Sequence, residues 1–505
     1  MSRRGDLGRK SIVLFTGTWL ASGLGLLSTV LIARVLGPEA LGILGFSTGL
    51  VGLLTAFLLP GFAQAHQKRV AEGADLGRCV GTMAALQLVI QLTALVLVLL
   101  ASRWGSLVIP AGVPVAVVLF VLAAQLLVNL STSLSVAFVG REWAVAHAAT
   151  QLSGSALRFA AIVAVLAWAP DIRWVAAAML VEGATEILVG AWILVVRRGV
   201  IVRLPDRATL RSYWSYARPF LVINPIGIAQ DSLDRIFVAH WAGLTVAGYY
   251  QVARTLWEIL GTINAYPFQL LLSRLSRLFA SGGERATAEA RGVFAAAVDR
   301  LLFLAVPAAF ALWALRQPVV SLVYGDRFLP AVEPLMIFVL AALAQAAFNP
   351  YHFILYAMDQ QWRFTWVVLF RFAVYLVAMV ALVPLWGGVG AAAVRLLLVI
   401  FPCWVFIRWA RELTGIGFQW VTAAYLAGFA LLVLTDETVQ RLLSSAGAST
   451  PVAIIGGMVV ALGVYAAFLW LTHTGTGGNL QYARELVDPR RFWSFLARGD
   501  SSEAP

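Results

Sequence analysis

A small set of ionisable side chains stands inside runs of sequence that are otherwise apolar. Arg158 lies in one run, and Glu182 and Glu186 lie a helical turn apart in the next. Asp231, Asp234 and Arg235 crowd a third; Arg254 and Glu258, four residues apart, share a helical face in a fourth. Arg371 and Arg395 stand in two later runs with no acid in their own or the adjoining stretch. A guanidinium fork donates two parallel hydrogen bonds to phosphate oxygens, so arginines surplus to any salt bridge suit a cavity that receives a diphosphate or an acidic sugar. Arg371 and Arg395 are the first candidates for that role, with Arg235, Arg254 and Arg158 behind them. Acids beside arginines have two chemistries open to them: ion pairs that hold helices together, or groups that couple an ion. Asp231, Asp234, Glu258, Glu182 and Glu186 are candidates for both. Helix depth matches Arg235 with Arg254 and Asp231 with Glu258, and it suggests Arg158 with Glu186. Arg218, near a helix end, is expected to snorkel.

Elements able to hold such charges follow from composition. Of 505 residues, 61% are hydrophobic and 12% charged, where a soluble domain carries about a quarter charged residues. Mean hydropathy is +0.85. The class is membrane. A formal charge of +12 raises the question of nucleic acid, but the cations are scattered between apolar runs, which argues against that partner. Cys79 and Cys403 have no CxxC or histidine neighbour, so neither metal nor redox cofactor is expected. Nucleophile triads, Walker lysines and glycine-rich phosphate loops are missing from the sequence. Direct use of ATP, and an enzyme activity, are therefore not expected.

About fourteen stretches reach spanning length: 11–33, 41–63, 79–101, 114–138, 148–169, 175–196, 213–238, 247–271, 295–315, 334–356, 365–385, 388–409, 417–434 and 451–472. Hydrocarbon forces each to satisfy its own backbone, so each is read as a helix, and the fold class as an all-α polytopic membrane protein. The first run is too long for a signal peptide and is read as an uncleaved helix. Arginines cluster in alternate loops, at Arg197–Arg211 and Arg274–Arg300 for example, while the intervening loops hold only Arg34, Arg103, Arg173, Arg316, Arg327 and Arg441. That bias puts both termini in the cytoplasm.

The chain also repeats. Ala33–Gly42 aligns without gaps with Ala239–Gly248, matching Gly37 to Gly243 and Gly42 to Gly248, and the same offset pairs Leu50 with Leu256 and Lys68 with Arg274. Two parallel six-helix bundles are expected, at 1–200 and 201–412, with a site between them. Two additional helices at 413–474 and a cytoplasmic tail at 475–505 complete the chain.

Three stretches carry a family resemblance. Ile32-Ala-Arg-Val-Leu-Gly-Pro-Glu-Ala-Leu-Gly42, Asp234-Arg-Ile-Phe-Val-Ala-His-Trp-Ala-Gly243 with Ala247-Gly-Tyr-Tyr250, and Val383-Pro-Leu-Trp-Gly-Gly-Val-Gly-Ala-Ala-Ala393 resemble, in order and spacing, motifs of the MOP-superfamily oligosaccharide flippases. These are the Wzx-type O-antigen and related polysaccharide export proteins. The resemblance implies a multi-pass protein of the cell (plasma or inner) membrane, working by alternating access in polysaccharide or lipopolysaccharide biosynthesis. The substrate would be a polyprenyl-diphosphate-linked glycan moved from the cytoplasmic to the outer leaflet, with a polysaccharide polymerase as a possible partner. An ion-coupled multidrug exporter of the same superfamily is the nearest alternative. Such exporters commonly place a carboxylate early in the N-terminal half, and the first four spans here hold none. A membrane glycosyltransferase or polymerase would need an acidic cluster over the sugar, which the outer loops lack.

Overall fold

The computed structural model describes residues 3–56, 60–102, 109–217, 220–358, 360–472 and 474. Arg218 and the tail from 475 lie outside the described residues. Among the described residues every regular element is a helix. In order run α1 (Arg3–Ala56), α2 (Pro60–Ala71), α3 (Leu76–Ser102), α4 (Val115–Gly140), α5 (Ala144–Trp168), α6 (Ile172–Ala178) and α7 (Leu180–Ala191), which ends in a π-helical turn, Trp192–Arg197. There follow α8 (Arg207–Ala217), α9 (Phe220–Trp241), α10 (Leu244–Ser281), α11 (Gly283–Ala314), α12 (Arg316–Tyr324), α13 (Val332–Ala357), α14 (Gln361–Ile400), α15 (Cys403–Thr414), α16 (Trp420–Ser445) and α17 (Thr450–Leu471).

Among the described residues ten segments are long and apolar enough to cross a membrane, against about fourteen expected from sequence. Two of the ten each merge a pair of expected spans. The loop expected near 34–40 is a single break at Gly37 (φ 83), and that near 386 is a break at Gly387 (φ 54). Glycine takes such left-handed angles at no steric cost, and Pro38 restarts the helix where its missing N–H is no loss. Expected span 213–238 begins in α8 and runs on through α9, and 247–271 lies within α10; side chains of α9 and α10 are described only in part. The outward faces agree with lipid: Leu88, Leu92, Val96 and Leu99 on α3, and Trp366, Phe370, Val377 and Val380 on α14, are all exposed. In water such a shell would be an aggregation surface.

Contacts divide the chain into two compact units, 1–251 and 252–489. In the first, α1 packs on α5, α4 and α9. Small residues let it approach closely, the usual device where lipid supplies no hydrophobic drive between helices. A Cβ on Gly17 would stand 2.7 Å from that of Ala148 on α5, and one on Gly52 would stand 2.8 Å from Ser232 Oγ on α9. Beneath lies a buried hub in which His66 on α2 meets Tyr213 Oη on α8 at 2.7 Å and the Ser133 carbonyl on α4 at 2.9 Å. Burial holds the imidazole down, at about 4. The ring is therefore neutral at pH 7: Nε2–H donates to Ser133, and Nδ1 accepts from tyrosine. In the second unit α13 is the core, with Leu335, Phe338, Ala341, Ala346 and Ile354 sealed by α11, α14 and α15. The α16–α17 hairpin joins α11, where Tyr425 Oη donates to Asp299 at 2.8 Å.

Two features of the first unit need their glycines. The segment 199–206 is an extended strap across α3. Cβ atoms on Gly77 and Gly81 would collide with the carbonyls of Ile201 and Arg203, and Arg203 N donates to the Gly77 carbonyl at 3.1 Å. Crossed ion pairs clamp it: Arg78 to Asp206 and Arg203 to Asp75, both 2.8 Å. Asp206 also caps α8 through Thr209 N at 2.7 Å, and this capping, with Arg78 beside it, holds its carboxyl below the usual range. The second feature joins the repeated loops. A Cβ on Gly42 would fall on the carbonyl oxygen of Leu244, and a Cβ on Gly248 on that of Pro38. Leu244 is the repeat counterpart of Pro38, so the contact is reciprocal. Gly37 and Gly243 turn the two loops with matching φ values of 83 and 93.

Gly42→Ala and Gly248→Ala each require backbone to move and are expected to lower stability by about 1–3 kcal/mol, read as a fall in melting temperature in detergent. Gly23→Ala on α1 meets nothing within 4 Å and serves as the control, unchanged or slightly more stable. For His66 the folded pKa lies below the unfolded one, so its contribution is complete above about pH 6.5 and is lost as pH falls toward 4. From pH 7 to 5 that loss is on the order of 2 kcal/mol. It should flatten in His66→Gln.

Candidate functional site

The charged residues singled out by sequence fall into separate places. In the first unit α1, α4, α5 and α7 enclose a polar chamber of about 330 Å³ lined by Arg158, Glu182, Glu186, Ser131 and Ser155, with Ser22 and Gly25 from α1. Glu182 and Glu186 reach the same space because they are one turn apart on α7. Arg158 Nη1 meets Glu182 Oε2 at 2.5 Å, and Ser155 donates to the other oxygen of that carboxylate at 3.1 Å. The arginine's partner is therefore Glu182, not the Glu186 suggested by helix depth. Glu186, 9% exposed, takes a hydrogen bond from the Ser131 hydroxyl. Gly154 makes room: its Cβ would stand 2.5 Å from Glu186 Cγ and 3.0 Å from the Glu182 carbonyl. The chamber thus holds two carboxylates and one guanidinium, an arrangement that can take up a proton or a small cation.

Arg158 and Gly25 also line a neighbouring cavity of about 160 Å³ that reaches Thr48 and Gln251. Thr48 accepts from Arg235 Nη1 at 3.2 Å, so α9 adds its cation at the far side of this space. Asp234, one residue away, is fully buried and accepts from Tyr250 Oη at 2.8 Å, which ties α9 to the start of α10. Asp231 is exposed.

The second unit contains the other arginines. Arg254, 3% exposed, donates to Glu258 at 2.8 Å within α10. Arg371 and Arg395 lie on either side of the Gly387 break in α14, close enough for their charges to repel. The Arg371 Nε is buried without a hydrogen-bond partner, and the same guanidinium lies within electrostatic reach of Tyr356 and His352. His352 sits among the rings of Phe353, Tyr356, Phe364 and Phe406 at centroid distances of 4.2 to 6.1 Å. Arg395 rests 6.0 Å over Trp257, which stacks on Phe338 at 5.0 Å. Two like charges walled by aromatic rings are an arrangement that could receive an anion whose remaining surface can stack. Sequence reasoning missed Trp257 and His352. Both had a signal: a tryptophan between two charges in mid-span is no interfacial anchor, and a lone histidine in an apolar run calls for a reason. Among the described residues no group of His, Cys, Asp or Glu is arranged to hold a metal ion.

The family model described as "Polysaccharide biosynthesis protein" matches residues 7–279. No curated protein matches the chain. Among solved structures, the lipid II flippase MurJ in an inward closed conformation aligns with TM-score 0.63 at 14% identity, covering 92% of this chain and 99% of its own. An inward-facing multidrug resistance MATE transporter of the MOP superfamily aligns with TM-score 0.62 at 15% identity, covering 80% and 98%. A MOP-superfamily transporter from Pyrococcus furiosus gives 0.51 at 15% identity, covering 82% and 98%. At these identities the likeness is one of fold.

The Arg158–Glu182 pair is the most direct test of the chamber. Arg158→Leu alone strands a buried carboxylate and should cost on the order of 3 kcal/mol. Adding Glu182→Leu should restore most of the loss. A double variant no more stable than the single, in thermal unfolding in detergent, would refute the pairing.

Proposed function

Because the chain belongs to the polysaccharide biosynthesis protein family, we propose that it is a flippase carrying a polyprenyl-diphosphate-linked oligosaccharide from the cytoplasmic to the outer leaflet. The observation that carries this reading is the Arg371–Arg395 pair with its aromatic walls. A diphosphate answers both guanidinium charges at once, and sugar rings lie well against Trp257 and Tyr356. A polyprenyl tail needs no protein site, since lipid accommodates it.

The mechanism is alternating access. Two six-helix bundles, 1–200 and 201–412, rock about the substrate, with both termini in the cytoplasm and about fourteen spans in all. The chamber on α5 and α7 supplies the coupling. Its carboxylates outnumber its arginine, so Glu186 takes up a proton or a small cation and releases it when the chamber opens to the other side. Arg158, shared between two cavities, carries that change toward Thr48 and Arg235.

A multidrug exporter of the same fold is the rival reading. It is disfavoured by charge, because a cationic drug would meet arginines at Arg371 and Arg395 where it needs carboxylates. The deciding experiment follows a fluorescent polyprenyl-diphosphate oligosaccharide in proteoliposomes. Wild type is expected to move it, and Arg371→Ala and Arg395→Ala should each slow it by about tenfold or more, the worth of one charge-assisted phosphate contact. Glu186→Gln should keep basal flipping but lose the acceleration given by a pH or sodium gradient. Export of small cationic drugs, with the lipid left in place, would transfer the protein to the rival class.

A further inference from the structure

The short helix α8 in the first unit has a face that the described residues leave uncovered. Its Tyr213 and Ala217 are buried against Phe62, Ala65 and Met83. At about 100° per residue, the side chains that follow round the circumference from that seam are Leu210 and Trp214, then Arg207 and Arg211, then Ser215, Ala208 and Ser212. Leu210, Trp214, Arg207 and Arg211 are all exposed. Neither arginine has an ion pair or hydrogen bond among the described residues. The acids that follow α2 and flank the strap are engaged elsewhere: Glu72 by Arg69 at 2.7 Å, Asp75 by Arg203 and Asp206 by Arg78. Two guanidinium charges on α8 are therefore left without an answer from the protein.

The level of α8 selects what answers them. The Trp214 ring lies 6.0 Å from that of Phe62, at the end of the expected span 41–63. The strap leading into α8 crosses α3 at Gly77 and Gly81, where the expected span 79–101 begins. Both marks put the helix where hydrocarbon gives way to headgroups, and a tryptophan with arginines suits that level. The order round the helix, apolar then cationic then hydroxyl, is that of a helix lying in the interface, with its apolar flank toward acyl chains and its serines toward water. We propose that α8 is a site for anionic phospholipid headgroups on the side expected to be cytoplasmic, Arg207 and Arg211 taking the phosphates and Leu210 and Trp214 anchoring the helix. A choline head brings its own cation to the same place, so the two arginines favour an acidic lipid over a zwitterionic one. A soluble acidic partner fits less well, because Leu210 and Trp214 lie at the acyl boundary. The site goes beyond the transport reading and does not depend on the transported substrate.

The test follows amide hydrogen exchange over 207–217 in the full-length protein. It compares nanodiscs of phosphatidylcholine alone with nanodiscs of phosphatidylcholine and phosphatidylglycerol in equal amounts. Wild type is expected to exchange more slowly in the mixed discs, by about fivefold for each arginine engaged, and to lose the difference at high salt. Arg207→Gln with Arg211→Gln should abolish the difference. Arg207→Lys with Arg211→Lys should keep it, because the surface field acts on charge. Leu210→Ser should speed exchange in both discs alike, since the anchor is indifferent to the head, and unaltered exchange over α4 verifies the fold of each variant. Equal exchange by wild type in the two discs, a difference that survives the double glutamine variant, or indifference to Leu210→Ser overturns the site. Slowed exchange that follows protein concentration in detergent, without phosphatidylglycerol, would overturn it too and make α8 a contact between copies of the chain.

Discussion

Hydrocarbon offers no water to a buried ion, and that single absence decides where the charges of this chain settle. Glu182 takes both a guanidinium and a serine hydroxyl, Asp234 takes a tyrosine hydroxyl, and Arg254 turns back on its own helix to reach Glu258. Asp436, sealed between α16 and α17, accepts from Gln440 at 2.9 Å. In each case the protein replaces solvent with a donor or acceptor, because an unpaired charge at such depth costs several kcal/mol. Where that replacement is incomplete, function has the stronger claim. Glu186 has a neutral hydroxyl where Glu182 has an arginine, and Arg371 has rings and a second arginine around it.

Close helix approach is what makes those substitutions for water possible. Gly154 brings α7 against α5 so that two carboxylates enter one chamber, and Gly25 leaves space on α1 opposite Arg158. Larger residues at either place would push the helices apart and open the ion pair. The polar chemistry of the first unit therefore depends on positions that have no polar atom of their own beyond the backbone.

Much of this was legible in the sequence. The apolar runs marked the helices, some of the isolated charges, Asp234 and Arg254 among them, are buried while Asp231 and Glu258 are exposed, and the constant offset pairs two loops whose glycines, Gly37 and Gly243, have matching backbone angles. Three things were not legible. Depth arithmetic is good to about one turn, roughly 5 Å, so it could not choose between Glu182 and Glu186 as the partner of Arg158. Loops inferred from two flanking spans shrank to single residues at Gly37 and Gly387, because glycine reverses a chain within one position. The segment 199–206, with its arginines and Pro205, reads as a cytoplasmic linker, yet Arg203 and Asp206 bond it to the start of α3 and the residue before it. That pairing joins residues far apart in the chain, which no local pattern reports.

The reciprocal contact between the repeated loops limits which substitutions the two loops can accept. At most positions a changed side chain is absorbed by its own neighbours. At Gly42 and Gly248 each copy's neighbour is the other copy's main chain, and no side chain stands between to absorb a change. A methyl group gained by one loop can be accommodated only if the opposing loop moves its backbone. At this one point the two loops tolerate no added side chain, whatever their sequences do elsewhere.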